Sequence, residues 1–208
     1  RQSAFFLSIM LVLSACGDVR MDSDHISIKN ADDLAELQGV RLLQADLSVM
    51  ADGLDSLAPL AALTQIDGDL IISRTDSLTD LSGLENLVHV TGSITIAMND
   101  SLVSLQGLNN LQEAGALWIS SNPMLENLNG LESLSMVGEN LMIAENAQIT
   151  DLEGLSDLEH VGGDFKICQN ENLEHIEHIN SIKHIGQDLL IVNNPALKSL
   201  GTIGAVET

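Results

Sequence analysis

The sequence predicts a mainly β fold: a right-handed parallel β-solenoid of leucine-rich coils, each about 24 residues long, with a short N-terminal capping helix. Three observations carry this prediction. A Leu-x-Ile pattern recurs at nearly constant spacing, an asparagine follows it at a fixed distance, and glycines recur in two further columns. Self-similarity at one fixed period is typical of stacked-coil proteins.

The Leu-x-Ile pattern predicts one short strand in every coil. Its first residues lie 24, 23, 24, 24 and 24 positions apart. The six copies are Leu70 and Ile72, Ile94 and Ile96, Leu117 and Ile119, Leu141 and Ile143, Phe165 and Ile167, and Leu189 and Ile191. Successive side chains of a strand alternate between its two faces, so we expect both apolar residues to point inward and the residue between them outward.

Asparagine and glycine form the other repeated columns. An asparagine stands three residues after the Ile in five coils, at Asn99, Asn122, Asn146, Asn170 and Asn194. Asparagine side chains satisfy backbone groups in turns, so this column predicts a structural role inside the stack. The glycine columns are Gly83, Gly107, Gly130 and Gly154, and Gly68, Gly92, Gly115, Gly138, Gly162 and Gly186. We expect glycine to supply a positive φ at the corners of the coils.

The segment 30–39 predicts the capping helix. Asn30 is a favourable N-cap, acidic residues follow it in the first turn, and Gly39 stands after the expected end. Leu34 and Leu37 are three residues apart, so both can face the first coil. We therefore expect this helix to cover the N-terminal end of the core.

Residues 1–15 have the features of an export signal: a basic start, a short apolar run and small residues before Cys16. The apolar run is too short to span a bilayer as a helix. Leu-Ser-Ala-Cys at positions 13–16 resembles the bacterial lipobox, in which the cysteine is acylated and becomes the first mature residue. The alternative is an ordinary signal peptide followed by an unmodified cysteine.

The predicted organisation is an export signal at 1–15, a short linker at 16–24 beginning with lipidated Cys16, and a solenoid at 25–208. Gly17 rather than Asp follows the cysteine, and within the lipobox resemblance this implies a lipid-anchored protein of the bacterial outer membrane. The sequence does not begin with Met and its last coil does not close, so we expect it to be incomplete at both ends.

The coil sequence resembles the receptor L-domain family. The stretch Gly-Asp-Leu-Ile-Ile … Leu-Thr-Asp-Leu-Ser-Gly-Leu-Glu-Asn-Leu-Val-His-Val, from Gly68 to Val90, carries the resemblance, which extends from about Ile26 to the end. That family includes the ligand-binding lobes of the insulin and epidermal growth factor receptors, fungal wall proteins and bacterial surface lipoproteins. The resemblance implies a β-solenoid used for adhesion or ligand capture. The cysteines of the eukaryotic members are missing here.

The charge of the chain limits its partners. It has 8 basic and 30 acidic residues, a formal net charge of −22. Such a surface repels nucleic acid phosphates and anionic lipid headgroups, and it favours cations or basic partners. We therefore expect no nucleic acid ligand, although solubility alone also accounts for the charge.

Metal sites and cofactors are not expected. His160 and His184 are 24 residues apart and so lie on adjacent coils, and His178 replaces a corner glycine. These three are the best candidate ligands for zinc or nickel, but no further ligand accompanies them. The alternative is a solvated polar edge. Acidic turn residues show no converging calcium loop, the candidates being Asp76, Asp80, Asp100 and Asp151.

The outward residues of the strands give the candidate binding face. They are Ile71, Thr95, Trp118, Met142, Lys166 and Leu190. Exposed apolar patches often mark interaction sites, so this row predicts a surface module that binds a protein or peptide partner. The alternatives are a face covered by another element, a structural envelope protein without a ligand, and a β-helix enzyme acting on polysaccharides. The scattered basic residues and the absence of a nucleophile motif favour no catalytic activity.

Overall fold

The computed structural model describes residues 24–200 and, ahead of them, the backbone of two short strands at Leu11–Leu13 and Val19–Met21. These two strands pair antiparallel with each other. Cys16, with most of the predicted export signal and linker, lies outside the described residues. No helix in the described part is long and apolar enough to cross a membrane.

The described chain is a β-solenoid of about 7 turns with about 24 residues per turn, which confirms the predicted fold class. The strands are β1 (Leu11–Leu13), β2 (Val19–Met21), β3 (His25–Ile28), β4 (Leu42–Leu43), β5 (Asp46–Val49), β6 (Gln65–Ile66), β7 (Leu70–Ser73), β8 (His89–Ala97), β9 (Glu113–Ser120), β10 (Met136–Val137), β11 (Leu141–Ala144), β12 (His160–Val161), β13 (Phe165–Cys168), β14 (His184–Ile185) and β15 (Leu189–Val192). Helix α1 spans Ala31–Ala35, and 3-10 turns lie at Ala58–Leu60, Glu153–Leu155 and Glu177–Ile179.

Strands of successive coils pair in parallel and form two ladders. The long ladder runs β3, β5, β7, β8, β9, β11, β13, β15. The short ladder runs β4, β6, β8, β9, β10, β12, β14. Strands β8 and β9 are long enough to take part in both, with a register shift between Val90 and Ser93. Residues at the same position of the repeat are therefore aligned from one coil to the next along the side of the solenoid.

The core is a column of aliphatic side chains that runs through the stack. Both apolar residues of each Leu-x-Ile pattern are buried from β7 to β13, as the alternation predicts. In β15 the same positions, Leu189 and Ile191, are only partly buried, because no further described coil stacks on them. Phe165 is the one aromatic residue of this core, and it replaces a leucine or isoleucine of the other coils.

Helix α1 covers the first coil, and it is shorter than the predicted segment. The Asn30 side chain accepts hydrogen bonds from the backbone N–H groups of Asp32 and Asp33. Beyond α1 the chain continues in tight i to i+3 hydrogen bonds, including Val40 N–H to Leu37 O at 3.1 Å. This tightening ends the α-helix early and still buries Leu37, which is 2% exposed.

The two glycine columns differ in backbone conformation, although neighbouring coils approach closely at both. In the first column, Gly83, Gly107 and Gly130 have φ between +112° and +115°, as the sequence predicts, whereas the prediction is wrong for Gly154, which has no positive φ. In the second column the predicted positive φ is wrong. A Cβ atom on Gly162 would lie 1.9 Å from the Gly138 carbonyl oxygen, so the coils approach too closely there for any side chain. Left-handed backbone occurs instead in residues that directly follow the strands of the long ladder: Arg74, Met98, Ser121, Glu145, Gln169 and Asn193.

Candidate functional site

The outward residues of the long ladder form one straight row. The strand register pairs Ile71 with Thr95, Thr95 with Trp118, and Trp118 with Met142. It continues from Met142 to Lys166 and Leu190. Neighbouring strands of a sheet are about 4.8 Å apart, so the backbones of consecutive members of this outer row are separated by about that distance. The outer row denotes these six residues below.

Exposure along the outer row is greatest at its centre and its C-terminal end. Trp118 is 42% exposed and Leu190 is 40% exposed, while the other four residues are partly buried by their neighbours. In the preceding coil the equivalent position is Ser48, which is fully buried. The accessible part of the row therefore begins at Ile71.

Beside the outer row runs a second outward column of mostly small residues, the small row. Its members are Ser73, Ala97, Ser120, Ala144, Cys168 and Val192. Ala97 and Ala144 are only 6% and 5% exposed, because short side chains sit low between taller neighbours. Trp118 is therefore far more exposed than the small residues Ala97 and Ala144 beside it.

One edge of this face is an Asp/Asn ladder, which the sequence analysis missed. The Asp46 carboxylate accepts from the backbone N–H of Asp69 at 2.9 Å. The Asn140 side chain accepts from Asp164 N–H at 2.8 Å, and Asp164 accepts from Asp188 N–H at 3.1 Å. The signal was present, since these residues directly precede the first apolar residue of their strands. Their side-chain oxygens accept from backbone N–H groups of the next coil and so tie adjacent coils together.

Lys166 is the only charged residue in the outer row, and it is neutralised within its own coil. Its Nζ lies 2.7 Å from Asp164 Oδ2. The hydrogen bond from Lys166, followed by the one from Asp188 N–H, lowers the pKa of the Asp164 carboxyl. The same bond to Asp164 raises the pKa of Lys166. The pair stays charged at neutral pH and leaves the surface from Ile71 to Met142 free of charge.

The opposite edge holds an acidic groove. It is lined by Glu145, Ala147, Gln169, Glu171, Asn193 and Pro195. The Ser121 hydroxyl donates to Glu145 Oε2 at 2.7 Å, which fixes this carboxylate next to the small row. Burial raises the pKa of the neighbouring Cys168 thiol, and the Glu145 charge raises it further. Glu145 is exposed, so its negative charge faces solvent in this groove.

The asparagine column lies inside the stack, between the face and the core. Asn99, Asn122, Asn146 and Asn170 are 0% exposed, whereas Asn194 in the last coil is partly buried. Asn146 is representative of the column. Its Oδ1 accepts from Asn122 N–H at 3.1 Å, and its Nδ2 donates to Ile119 O at 2.9 Å. Both partners belong to the preceding coil, so each amide joins two coils.

The short ladder carries a polar outer column. Its register places Gln65, His89, Glu113, Met136, His160 and His184 in one line. The rings of His160 and His184 stack with their centroids 4.6 Å apart and their planes inclined by 14°. Stacked rings direct their nitrogen lone pairs side by side rather than toward one point. His178 lies on the 3-10 turn Glu177–Ile179, outside this column.

Neither proposed metal set forms a site. Among residues 24–200, no group of three or more His, Cys, Asp or Glu side chains is placed to hold a metal ion. Three of the four calcium candidates accept hydrogen bonds from backbone N–H groups instead. Asp76 accepts from Gly53 N–H at 2.6 Å, Asp80 from Ser82 N–H at 2.9 Å and Asp151 from Glu153 N–H at 3.0 Å. These acids stabilise turns.

A family comparison agrees with the geometry. Residues 64–115, a quarter of the chain, match the family model of the Receptor L domain. The matched segment runs from just before β6 into β9 and confirms the resemblance predicted from the repeat there. Members of this family are binding domains, which is compatible with a ligand-binding module. No curated protein and no solved structure matches the chain.

Proposed function

We propose that this solenoid is a non-catalytic module that binds a protein or peptide partner through the outer row. The observation that carries the proposal is Trp118. It is the only tryptophan of the chain, and it stands 42% exposed at the middle of an uncharged face. Tryptophan is enriched among the residues that dominate binding energy at protein interfaces. The match to a binding-domain family supports the same role.

The test compares two exposed apolar residues on different ladders. Trp118→Ala removes the centre of the outer row. Met136→Ala removes a residue of similar exposure, 37%, from the short ladder. We expect the thermal unfolding midpoints of both variants to lie within a few degrees of the wild-type midpoint, because neither side chain belongs to the core. Partner capture from cell-surface extracts should fall only in Trp118→Ala.

Two results would contradict the proposal. Unfolding of Trp118→Ala would mean that the indole supports the stack rather than a ligand. Equal capture by the wild type and both variants would show that the outer row is not the site, and a structural envelope role would then account for the molecule.

We also propose that the module is lipid-anchored through Cys16 at the bacterial cell envelope, in the outer membrane. The support is the lipobox-like sequence at positions 13–16 and the glycine that follows it. Cys16→Ser should move the full-length protein from the membrane to the soluble fraction and abolish labelling by a fatty-acid probe. Membrane retention together with labelling of the Cys16→Ser protein would refute the anchor.

A further inference from the structure

We propose that the partner of the outer row is a cationic polypeptide segment, whose apolar residues lie on Trp118 and Met142 and whose Lys or Arg side chain enters the acidic groove between Glu145 and Glu171. This inference rests on the proposed function, because it assumes that the outer row is the binding face. It adds the chemical class of the ligand and the position of its charge.

The groove adjoins the apolar face at a distance suited to one peptide. Ser121 follows Trp118 by three residues and holds Glu145 through its hydroxyl at 2.7 Å. Three residues of strand span about 10 Å, so an extended peptide reaches from the indole to the carboxylate within about three of its own residues. Glu145 and Glu171 line the same groove. A basic side chain there meets two carboxylates.

Among the described residues, the two cations on or beside this face, Lys166 and Arg74, do not cancel the negative charge of the groove. Lys166 already pairs with Asp164 at 2.7 Å. Arg74 occupies the same left-handed position as Glu145 but three coils earlier, at about 14 Å. That separation exceeds the screening length of about 8 Å at physiological salt, so Arg74 leaves the charge of Glu145 uncompensated.

The charge of the whole chain disfavours other occupants of the face. With a net charge of −22, a second copy would bring two acidic surfaces together. Nucleic acid and anionic membrane surfaces are repelled for the same reason. A metal ion alone would leave the apolar row uncovered, and the described residues hold no metal-binding group of three. A segment that is apolar at one end and basic at the other complements both halves of the surface.

The experiment uses three synthetic hexapeptides that differ only in their last two residues. They are acetyl-Leu-Ile-Gly-Ser-Arg-Lys-amide and the versions that end in Gln-Gln and Glu-Glu. Binding is measured by calorimetry and by the emission of Trp118, which is the single tryptophan of the chain. We expect the basic peptide to bind about tenfold more tightly than the neutral one near 50 mM salt, with this advantage falling severalfold near 500 mM.

Matched variants locate the effect. Glu145→Gln/Glu171→Gln should abolish the preference for the basic peptide and leave binding of the neutral peptide unchanged. Glu126→Gln/Glu153→Gln removes the same number of charges from two exposed glutamates outside the groove, so it should keep the preference. For Trp118→Ala, calorimetry should show weaker binding of all three peptides.

The outcomes separate this inference from the proposed function. Equal binding of the basic and neutral peptides, lost in Trp118→Ala, would overturn the cationic partner and leave the binding face intact. If Glu145→Gln/Glu171→Gln still prefers the basic peptide, the basic residues of the peptide do not bind in the acidic groove, and the inference is refuted. Failure of every peptide to bind at millimolar concentration would overturn the inference, while partner capture by wild type against Trp118→Ala would still decide the proposed function.

Discussion

In the Leu-x-Ile segments of β7, β8, β9 and β11 the two inward-facing residues are leucine or isoleucine in every coil, whereas the residue between them is isoleucine, threonine, tryptophan and methionine in turn. The two sides share one backbone and one register. The inner side is constrained by the coils that stack above and below it, because each side chain must fill the same space. The outer side meets solvent, so its residues are free of that constraint.

This contrast assigns fold and binding to different positions of the repeat. Positions that repeat, such as the Leu-x-Ile pairs and the asparagine column, hold the coils together. Positions that depart from the repeat, such as Trp118 and Glu145, distinguish one stretch of the surface from the rest. The following substitutions test this division, and they are arranged from the largest expected effect to the smallest.

A glycine of the first column gives the strongest test of the inner side. Gly107→Ala should destabilise the protein by about 2–6 kcal/mol, through strain at positive φ and through overpacking. The φ of Gly107 is +112°, and a Cβ atom there would lie 2.0 Å from Leu81 O. Denaturant unfolding measures the loss. Gly138→Ala is the matched control, since its Cβ meets nothing closer than 3.5 Å, and it should change stability by under about 0.5 kcal/mol.

The asparagine column should show a smaller effect. Asn146→Ala is expected to cost about 1–3 kcal/mol, because Ile119 O and Asn122 N–H lose their buried partner. Asn129 is exposed and its side chain has no hydrogen bond to another described residue, so Asn129→Ala should cost under about 0.5 kcal/mol. Asn109 is a poorer control, because it accepts from Gly107 N–H at 3.1 Å. Equal losses at Asn146 and Asn129 would refute the structural role of the column.

On the outer side, the reactivity of the Cys168 thiol depends on burial and on the negative charge of Glu145. Its pKa is raised by burial and then by Glu145, so less thiolate exists at pH 7.5 than in an unfolded peptide. In a Cys16→Ser background, alkylation should be slower than for a peptide cysteine, and it should accelerate as pH rises. Glu145→Gln should speed the reaction. Alkylation faster than that of the peptide at pH 7.5 would contradict the raised pKa.

The sequence predicted the stack well, because periodicity directly records which residues share a position. The Leu-x-Ile pairs, the N-cap at Asn30 and the outward position of Trp118 all follow from spacing and alternation alone. The second glycine column was misinterpreted, since a close approach between coils and a positive φ both select glycine. Only coordinates show that Gly162 meets a neighbouring carbonyl without a positive φ, whereas Gly107 combines such a contact with a φ of +112°.

The acidic groove could not be predicted from spacing. Glu145 and Glu171 stand 26 residues apart and occupy different positions of the repeat, so no column of the sequence unites them. His160 and His184, by contrast, share one position of the repeat on adjacent coils, and their rings stack as the spacing of 24 residues indicates. Spacing predicts which residues stack on adjacent coils. The shape of a groove between residues at different repeat positions depends also on side-chain rotamers.

The division between an inner side that holds the fold and an outer side that binds is tested most directly by one triple variant. Ile71→Thr/Trp118→Thr/Met142→Thr extends the threonine already present at Thr95 over the centre of the outer row, and threonine is well suited to strands. Thermal unfolding and partner capture are then measured on the same preparation. We predict a midpoint within a few degrees of the wild type and complete loss of capture. A collapse of the fold, or a stable variant that still captures its partner, would contradict the division.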